Sequence, residues 1–367
     1  MKQKIGFVVF ILTLVSSSIY FMFTEQSVKK IDYVDGPYVF SVNDSTYKVI
    51  EIEPDSDEST RPEVVLNYSH IQKSKFISDF LDGKQSNEAE TSTKESFYSN
   101  IDSVFIVGDV HGEFEALMSL LETNNIITED LKWNFGKGHV VFCGDVFDRG
   151  DQVTESLWFI YKLEMQAEAL GGKVHFLLGN HEMMVLQGNL KYLHKKYKYI
   201  QSKLGVRYSF LYHKNTLLGK WLREQNTIVN INDVIYVHGG LHPEIIDIGL
   251  GIPEINQKIR EHLKNEDFDE EIRFLISPKG PLWYRGYLRD GKGYSMISEE
   301  ELDGILNHFN ADKIIFAHTT VKHIQPMFND KVIAIDVPMS KEKSEALFFK
   351  NNKFYSTNQQ GDTVKLF

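Results

Sequence analysis

The chain has 367 residues, 42% of them apolar and 25% charged, with a formal net charge of -11. That composition excludes a disordered polymer and a polytopic membrane protein, and the length allows two domains or one large α/β domain with attachments. The acidic balance argues against a nucleic-acid partner, because phosphate backbones are held by clustered Lys and Arg, and the lone Cys143 excludes an intramolecular disulfide or a Cys-rich zinc site.

In chain order, Lys2 and Lys4 precede an uncharged run from Ile5 to Phe23. Residues 1-24 therefore read as an export signal. Small residues at Ser16 and Ser18 favour a cleavable signal peptide, while the length of the run suits a signal anchor formed by residues 5-23. Either way the remainder is expected outside the cytoplasm, periplasmic or secreted. Residues 25-100 follow as a β hairpin, Tyr38 to Val42 and Tyr47 to Glu51 around Asn43-Asp44, and a polar linker represented by Pro54 to Pro62 and Gly83 to Ser96.

From residue 101 to 340 apolar strands alternate with helical periods. Strands are expected at Val104 to Val107, His139 to Cys143, Val174 to Leu178, Val234 to Val237 and Ile314 to Ala317, and helices at Phe114 to Leu121, Val153 to Leu170, Ile255 to Leu263 and Glu299 to Phe309. This alternation implies a mainly parallel, layered α/β sheet with ligands beyond the C-terminal strand ends. Residues 341-367 add further β structure.

Those strand ends spell Gly108-Asp109-Val110-His111-Gly112, Gly144-Asp145-Val146-Phe147-Asp148-Arg149-Gly150, Gly179-Asn180-His181-Glu182, His238-Gly239-Gly240 and Ala317-His318-Thr319. Asp109 and His111, two apart in an extended strand end, leave on the same side and can chelate one ion. Asp145 can bridge two ions through its two oxygens, and Asn180, His238 and His318 complete a second cluster. Nitrogen and oxygen donors without thiolate suit Mn, Fe, Zn or Co. Two divalent transition-metal ions about 3.5 to 4 Å apart generate a hydroxide at neutral pH and clamp an in-line phosphoryl displacement. His181, offset from its neighbouring ligand, is the expected general acid. Asp148 holds its tautomer, and Arg149 is a fork for phosphate oxygens.

With these motifs in this order, the chain resembles the calcineurin-like metallophosphoesterases of the phosphoprotein phosphatase type. Within them it is most similar to the Shewanella-like phosphatases, including a bacterial cold-active protein tyrosine phosphatase, through Tyr236-Val237-His238-Gly239-Gly240-Leu241-His242-Pro243 and Pro281-Leu282-Trp283-Tyr284-Arg285-Gly286-Tyr287. The resemblance implies a four-layer α/β/β/α sandwich with small N- and C-terminal β additions. It also implies a first metal on Asp109, His111 and Asp145, a second on Asp145, Asn180, His238 and His318, His181 paired with Asp148, and Arg285 joining Arg149 at phosphate. The substrate implied is a phosphorylated protein or peptide, phosphotyrosine favoured. Ala317 stands where the family usually has Gly, and Ala334 to Met339 replaces the C-terminal loop of the eukaryotic Ser/Thr enzymes, so no regulatory subunit is inferred.

Three competing readings are weighed. A symmetrical dinucleoside tetraphosphatase uses the same motifs, and an exported metal- or phosphate-binding module would keep the ligands without turnover. Cys143 and Arg149 also form the C-x5-R spacing of thiol phosphatases, but Asp145 and Asp148 would place two carboxylates inside the phosphate cradle, and a thiol at the end of an apolar strand is usually a buried hydrophobe. His139 and His175 are expected in packing or surface roles, and His242 and His323 are assigned no metal. The segment from Gly188 to Asn226 carries nine Lys or Arg against Glu224, a charge of +8 that leaves -19 for the rest. A helical excursion with a solvated lysine face is the favoured reading of this insert, 188-226. The sharper one is a basic, aromatic rim of Tyr192, Lys195, Lys196, Tyr197, Lys198 and their neighbours that steers acidic phosphopeptides or contacts an anionic membrane surface.

Overall fold

The computed structural model describes residues 33-43, 46-52 and 94-367. The expected export signal, the Asn43-Asp44 turn in part and the linker between 53 and 93 lie outside them. No helix among the described residues is long and apolar enough to cross a membrane.

Two six-stranded sheets make up the body. In the first, β4 (Ser103–Val107), β5 (His139–Phe142) and β6 (Lys173–Phe176) run parallel. Their almost uninterrupted apolar sequences match burial on both faces. β12 (Glu345–Lys350) pairs antiparallel with β4, and β13 (Lys353–Asn358) and β14 (Thr363–Lys365) continue the sheet outward. The expected C-terminal β structure thus supplies half of one sheet. In the second sheet β3 (Phe97–Tyr98), β7 (Ile228–Ile231), β8 (Val234–Val237), β9 (Lys313–Phe316), β11 (Val332–Ala334) and β10 (Gln325–Met327) follow one another across the sheet. The pair β7-β8 is antiparallel, whereas β8-β9 and β9-β11 are parallel. Both sheets are therefore mixed rather than mainly parallel. With the helices, they form the expected α/β/β/α sandwich.

The helices are α1 (Phe114–Thr123), α2 (Val153–Ala169), α3 (Asn180–Leu186), α4 (Lys195–Leu204), α5 (Leu217–Arg223), α6 (Ile252–Asn265), α7 (Glu270–Leu275) and α8 (Glu299–Phe309). Local chemistry sets their ends. Ser298 and Glu301 form a reciprocal capping box on α8, whose first turn holds three glutamates at the positive end of the helix dipole. Asn310 ends it in the left-handed conformation that asparagine tolerates.

The hairpin of β1 (Asp35–Asn43) and β2 (Thr46–Ile52) buries Tyr38, Val39, Phe40, Val49 and Ile52 in the common core. Fully burying each large apolar side chain contributes about 1.5 to 3 kcal/mol. Asp35 anchors the hairpin to the basic insert, because Lys196 lies 3.0 Å from Asp35 and 3.0 Å from Glu155. Lys196 is thus a buried ion-pair partner and not part of a solvent-facing rim. Tyr197, Tyr208, Tyr212 and Trp221 are likewise in the core. The insert's exposed face retains Lys195 and Lys198, and Tyr192 and Phe210 are its exposed aromatics.

Strand register positions the site. Val107, Phe142 and Phe176 pair directly across the first sheet, as do Val237 and Phe316 across the second. Within each sheet the motif loops therefore leave level with one another.

Candidate metal centre

The loops are tied before any side chain is considered. The Asp145 carbonyl accepts from the amides of Val110 and His111, and the His111 carbonyl from Gly150. Gly144 has φ of 89°, and a Cβ there would lie 2.5 Å from the Gly179 nitrogen, so only glycine lets these two turns touch. His111, Asp145, Asp148, Arg149 and His318 all have positive φ, between 46° and 68°. Such backbone is costly for non-glycine residues and persists where the surroundings enforce it. His111 therefore reaches Asp109 by a left-handed turn and not by strand alternation.

Glu182 does much of the enforcing, a role the sequence reading left unassigned. Its buried carboxylate accepts from the amides of Asp145 (2.7 Å), Val146 (2.8 Å), Phe147 (3.2 Å) and Gly179 (2.8 Å). The signal was present, since Glu at the third position of a helix commonly reaches back to the N-cap amide.

All six expected ligands converge. Asp109 Oδ2 and Asp145 Oδ2 lie 3.6 and 3.9 Å from His111 Nε2. Asp145 Oδ2, Asn180 Oδ1 and His318 Nδ1 lie 3.2, 3.0 and 3.1 Å from His238 Nε2. Asp145 Oδ2 faces both clusters, and its Oδ1 accepts the His181 amide at 2.9 Å.

The donor chemistry fits a metal. His111 Nδ1 bonds the Phe147 carbonyl at 2.8 Å, His238 Nδ1 the Cys143 carbonyl at 2.7 Å, and His318 Nε2 the Trp283 carbonyl at 3.2 Å. A carbonyl only accepts, so these nitrogens carry the protons, and in the neutral imidazoles the opposite ones present lone pairs. His238 Nε2 and His318 Nδ1 then face each other with no proton between them, and His111 Nε2 is buried without a hydrogen-bond partner. A cation is the missing partner. Burial works against a charged His238 imidazole, yet the Asp145 carboxylate raises its pKa to about 9, so the pocket favours positive charge on or beside this ring. Burial also opposes ionisation of Asp145, but His238 and His181 hold it well below the usual carboxylate range.

His181 differs from the ligands. Its Nδ1 bonds the Asp148 carboxylate at 2.7 Å, an arrangement that stabilises an imidazolium and leaves Nε2 to carry a transferable proton 3.8 Å from Asp145 Oδ2. Arg149 and Asp109 line a cavity of about 220 Å³, together with Glu113, Thr320 and Asp336. Burial and the Asp109 charge raise the Asp336 pKa to about 7, another carboxyl with no assigned role. Arg285 lies at the second cluster, bonding the His318 carbonyl and placing Nη2 3.3 Å from His318 Nδ1.

The remaining candidates fall away from the centre. Cys143 is fully buried, and burial followed by the Asp109 charge pushes its thiol pKa far up, so it is no nucleophile. His139 and His175 bond each other at 3.0 Å inside the first sheet. His242 caps a 3-10 turn through Glu244, and His323 pairs with Glu345.

Comparison with known proteins places this geometry. The family described as calcineurin-like phosphoesterase matches residues 103–322. Shewanella-like protein phosphatase 1 of Plasmodium berghei is 28% identical over 259 residues, 67% of this chain and 71% of that protein. Shewanella-like protein phosphatase 2 of Arabidopsis thaliana is 26% identical over 337 residues, 75% and 82% of the two chains. Among solved structures, the cold-active protein-tyrosine phosphatase of a psychrophilic Shewanella species superposes with a TM-score of 0.73 at 36% identity, covering 91% of this chain and 100% of its own.

Proposed function

The chain belongs to the calcineurin-like phosphoesterases and is a phosphoric monoester hydrolase, and from that premise we propose that it removes phosphate from phosphoproteins, with phosphotyrosine preferred. The observation that carries the reading is the convergence of carboxylate, amide-oxygen and imidazole groups beside a His-Asp pair and two arginines. The 36% identity to a tyrosine phosphatase supports the substrate preference.

The family implies divalent metal ions. Asp109, His111 and Asp145 would hold one, and Asp145, Asn180, His238 and His318 the other, from among Mn, Fe, Zn and Co. When bound, such ions supply an activated water and positive charge for the phosphoryl oxygens. The protein's own groups do the rest. Arg149, exposed at the cavity mouth, and Arg285, against His318, take the phosphate oxygens in forked hydrogen bonds. As the P-O bond breaks, His181 passes its Nε2 proton to the leaving oxygen, and Asp148 stabilises the imidazolium beforehand and resets the tautomer. The positive centre also answers the acidity of the chain, which would otherwise repel phosphate.

The test is to assay the purified protein on phosphotyrosyl peptide, phosphothreonyl peptide and diadenosine tetraphosphate, before and after chelation and with each metal restored. Fastest turnover of phosphotyrosine, lost on chelation and regained with metal, is expected. Faster cleavage of diadenosine tetraphosphate would make it a dinucleoside tetraphosphatase, and bound metal without turnover a binding module. Residues 5-23 support export, which fractionation of the producing cell tests. Activity confined to the cytosol would refute it.

A further inference from the structure

Tyr192 stands beside His181, the proposed proton donor. Its ring centroid lies 5.1 Å from that of His181, tilted by 46°, and 42% of the residue is exposed, whereas His181 is 3% exposed. The loop that carries it is preorganised. Arg149 donates its amide to the Tyr192 carbonyl at 3.2 Å, Leu193 is buried beneath, and the Arg207 guanidinium clamps the Gly188 carbonyl at 2.7 Å. A leaving oxygen taking the proton from His181 must come within roughly 3 Å of Nε2, and the first carbons beyond that oxygen then fall at the distance where the Tyr192 ring sits. The Lys191 ammonium lies 4.7 Å over that ring. It is a solvent-exposed cation on a flexible stem, which an entering aromatic group displaces at small cost.

We infer that Tyr192 is a specificity-determining residue, the wall against which an aromatic leaving group rests, so that it raises turnover of aryl phosphates relative to alkyl phosphates. The inference rests on the proposed role of His181 as proton donor. Aromatic rings in tilted or edge-to-face contact attract each other beyond the burial of their area, and a threonyl or glyceryl group has no ring to make that contact.

The alternative, that Tyr192 only orients His181, predicts the opposite pattern. An alkoxide needs the proton more than a phenoxide does, so misplacing His181 penalises alkyl phosphates more. The experiment measures kcat/KM of the metal-loaded wild type, Tyr192→Phe and Tyr192→Ala on phenyl phosphate, glycerol 2-phosphate and the phosphotyrosyl and phosphothreonyl peptides. Tyr192→Ala is expected to lower both aryl substrates on the order of three- to tenfold and leave both alkyl ones within about twofold, while Tyr192→Phe keeps the wild-type ratio. Equal or larger loss on glycerol 2-phosphate, no loss on phenyl phosphate, or a Phe variant as impaired as Ala would overturn the inference. A wild type that does not favour phosphotyrosyl peptide refutes the substrate reading instead. The phenyl phosphate comparison still decides the role of Tyr192.

Discussion

Replacing Glu182 by Gln tests whether the site is built by backbone enforcement. The two carboxylate oxygens share four amides, Oε2 taking Asp145 and Gly179, Oε1 taking Val146 and Phe147. Glutamine keeps one oxygen and turns the other into an NH2, which confronts two N-H donors that no water can reach. Leaving a buried donor unsatisfied costs about 1 to 3 kcal/mol, so two cost roughly 2 to 6 kcal/mol. At about 2.1 cal/mol/K of unfolding entropy per residue, that lowers Tm by roughly 3 to 9 °C. The same change frees the Asp145 turn, so bound metal, measured by elemental analysis, should fall along with Tm in a calorimetric scan. A Glu182→Gln protein with unchanged Tm and full metal content would refute the reasoning, because the four amides would then need no anion.

Other outcomes follow from the same geometry. Because Asp145 faces both clusters, Asp145→Ala should lose both metals in elemental analysis, whereas His318→Ala should lose one. Cys143→Ala should keep kcat within about twofold, at a stability cost of about 1 kcal/mol in chemical denaturation, and the native wild type should resist iodoacetamide until it unfolds. His139 titrates near 4 because of burial and then Lys173. The folded state thus stays neutral where the unfolded chain takes up a proton, and stability is lost as pH falls from about 6.5 toward 4, by ~1 to 3 kcal/mol. His139→Asn, whose oxygen can still accept from His175, should flatten the pH dependence of the urea midpoint over that range.

The motif-bearing strands and the six residues that converge beyond them were legible because each motif joins a short apolar run to polar donors, with a glycine turn in all but the last, a pattern local in sequence. The mixed character of the sheets was not. The antiparallel partner of Ser103 is Lys350, and no local periodicity announces a pairing over that distance. Burial of Lys196 was equally hidden, since a lysine in a basic helix looks solvated until Asp35 and Glu155 are seen beside it. The same holds for Tyr192, one of many tyrosines in its segment until its ring is found on His181.

The placement of β12 beside β4 bears on how the molecule is made. Asp109 follows directly from β4, yet one whole edge of that strand has no partner until residue 350 has been synthesised. Until then an apolar strand presents open amides and carbonyls, the arrangement that invites pairing with other chains. A product cut short before β12 should therefore aggregate rather than fold with a weakened site, and the time between translation of β4 and of β12 is a window in which a holding chaperone has its most direct effect on yield.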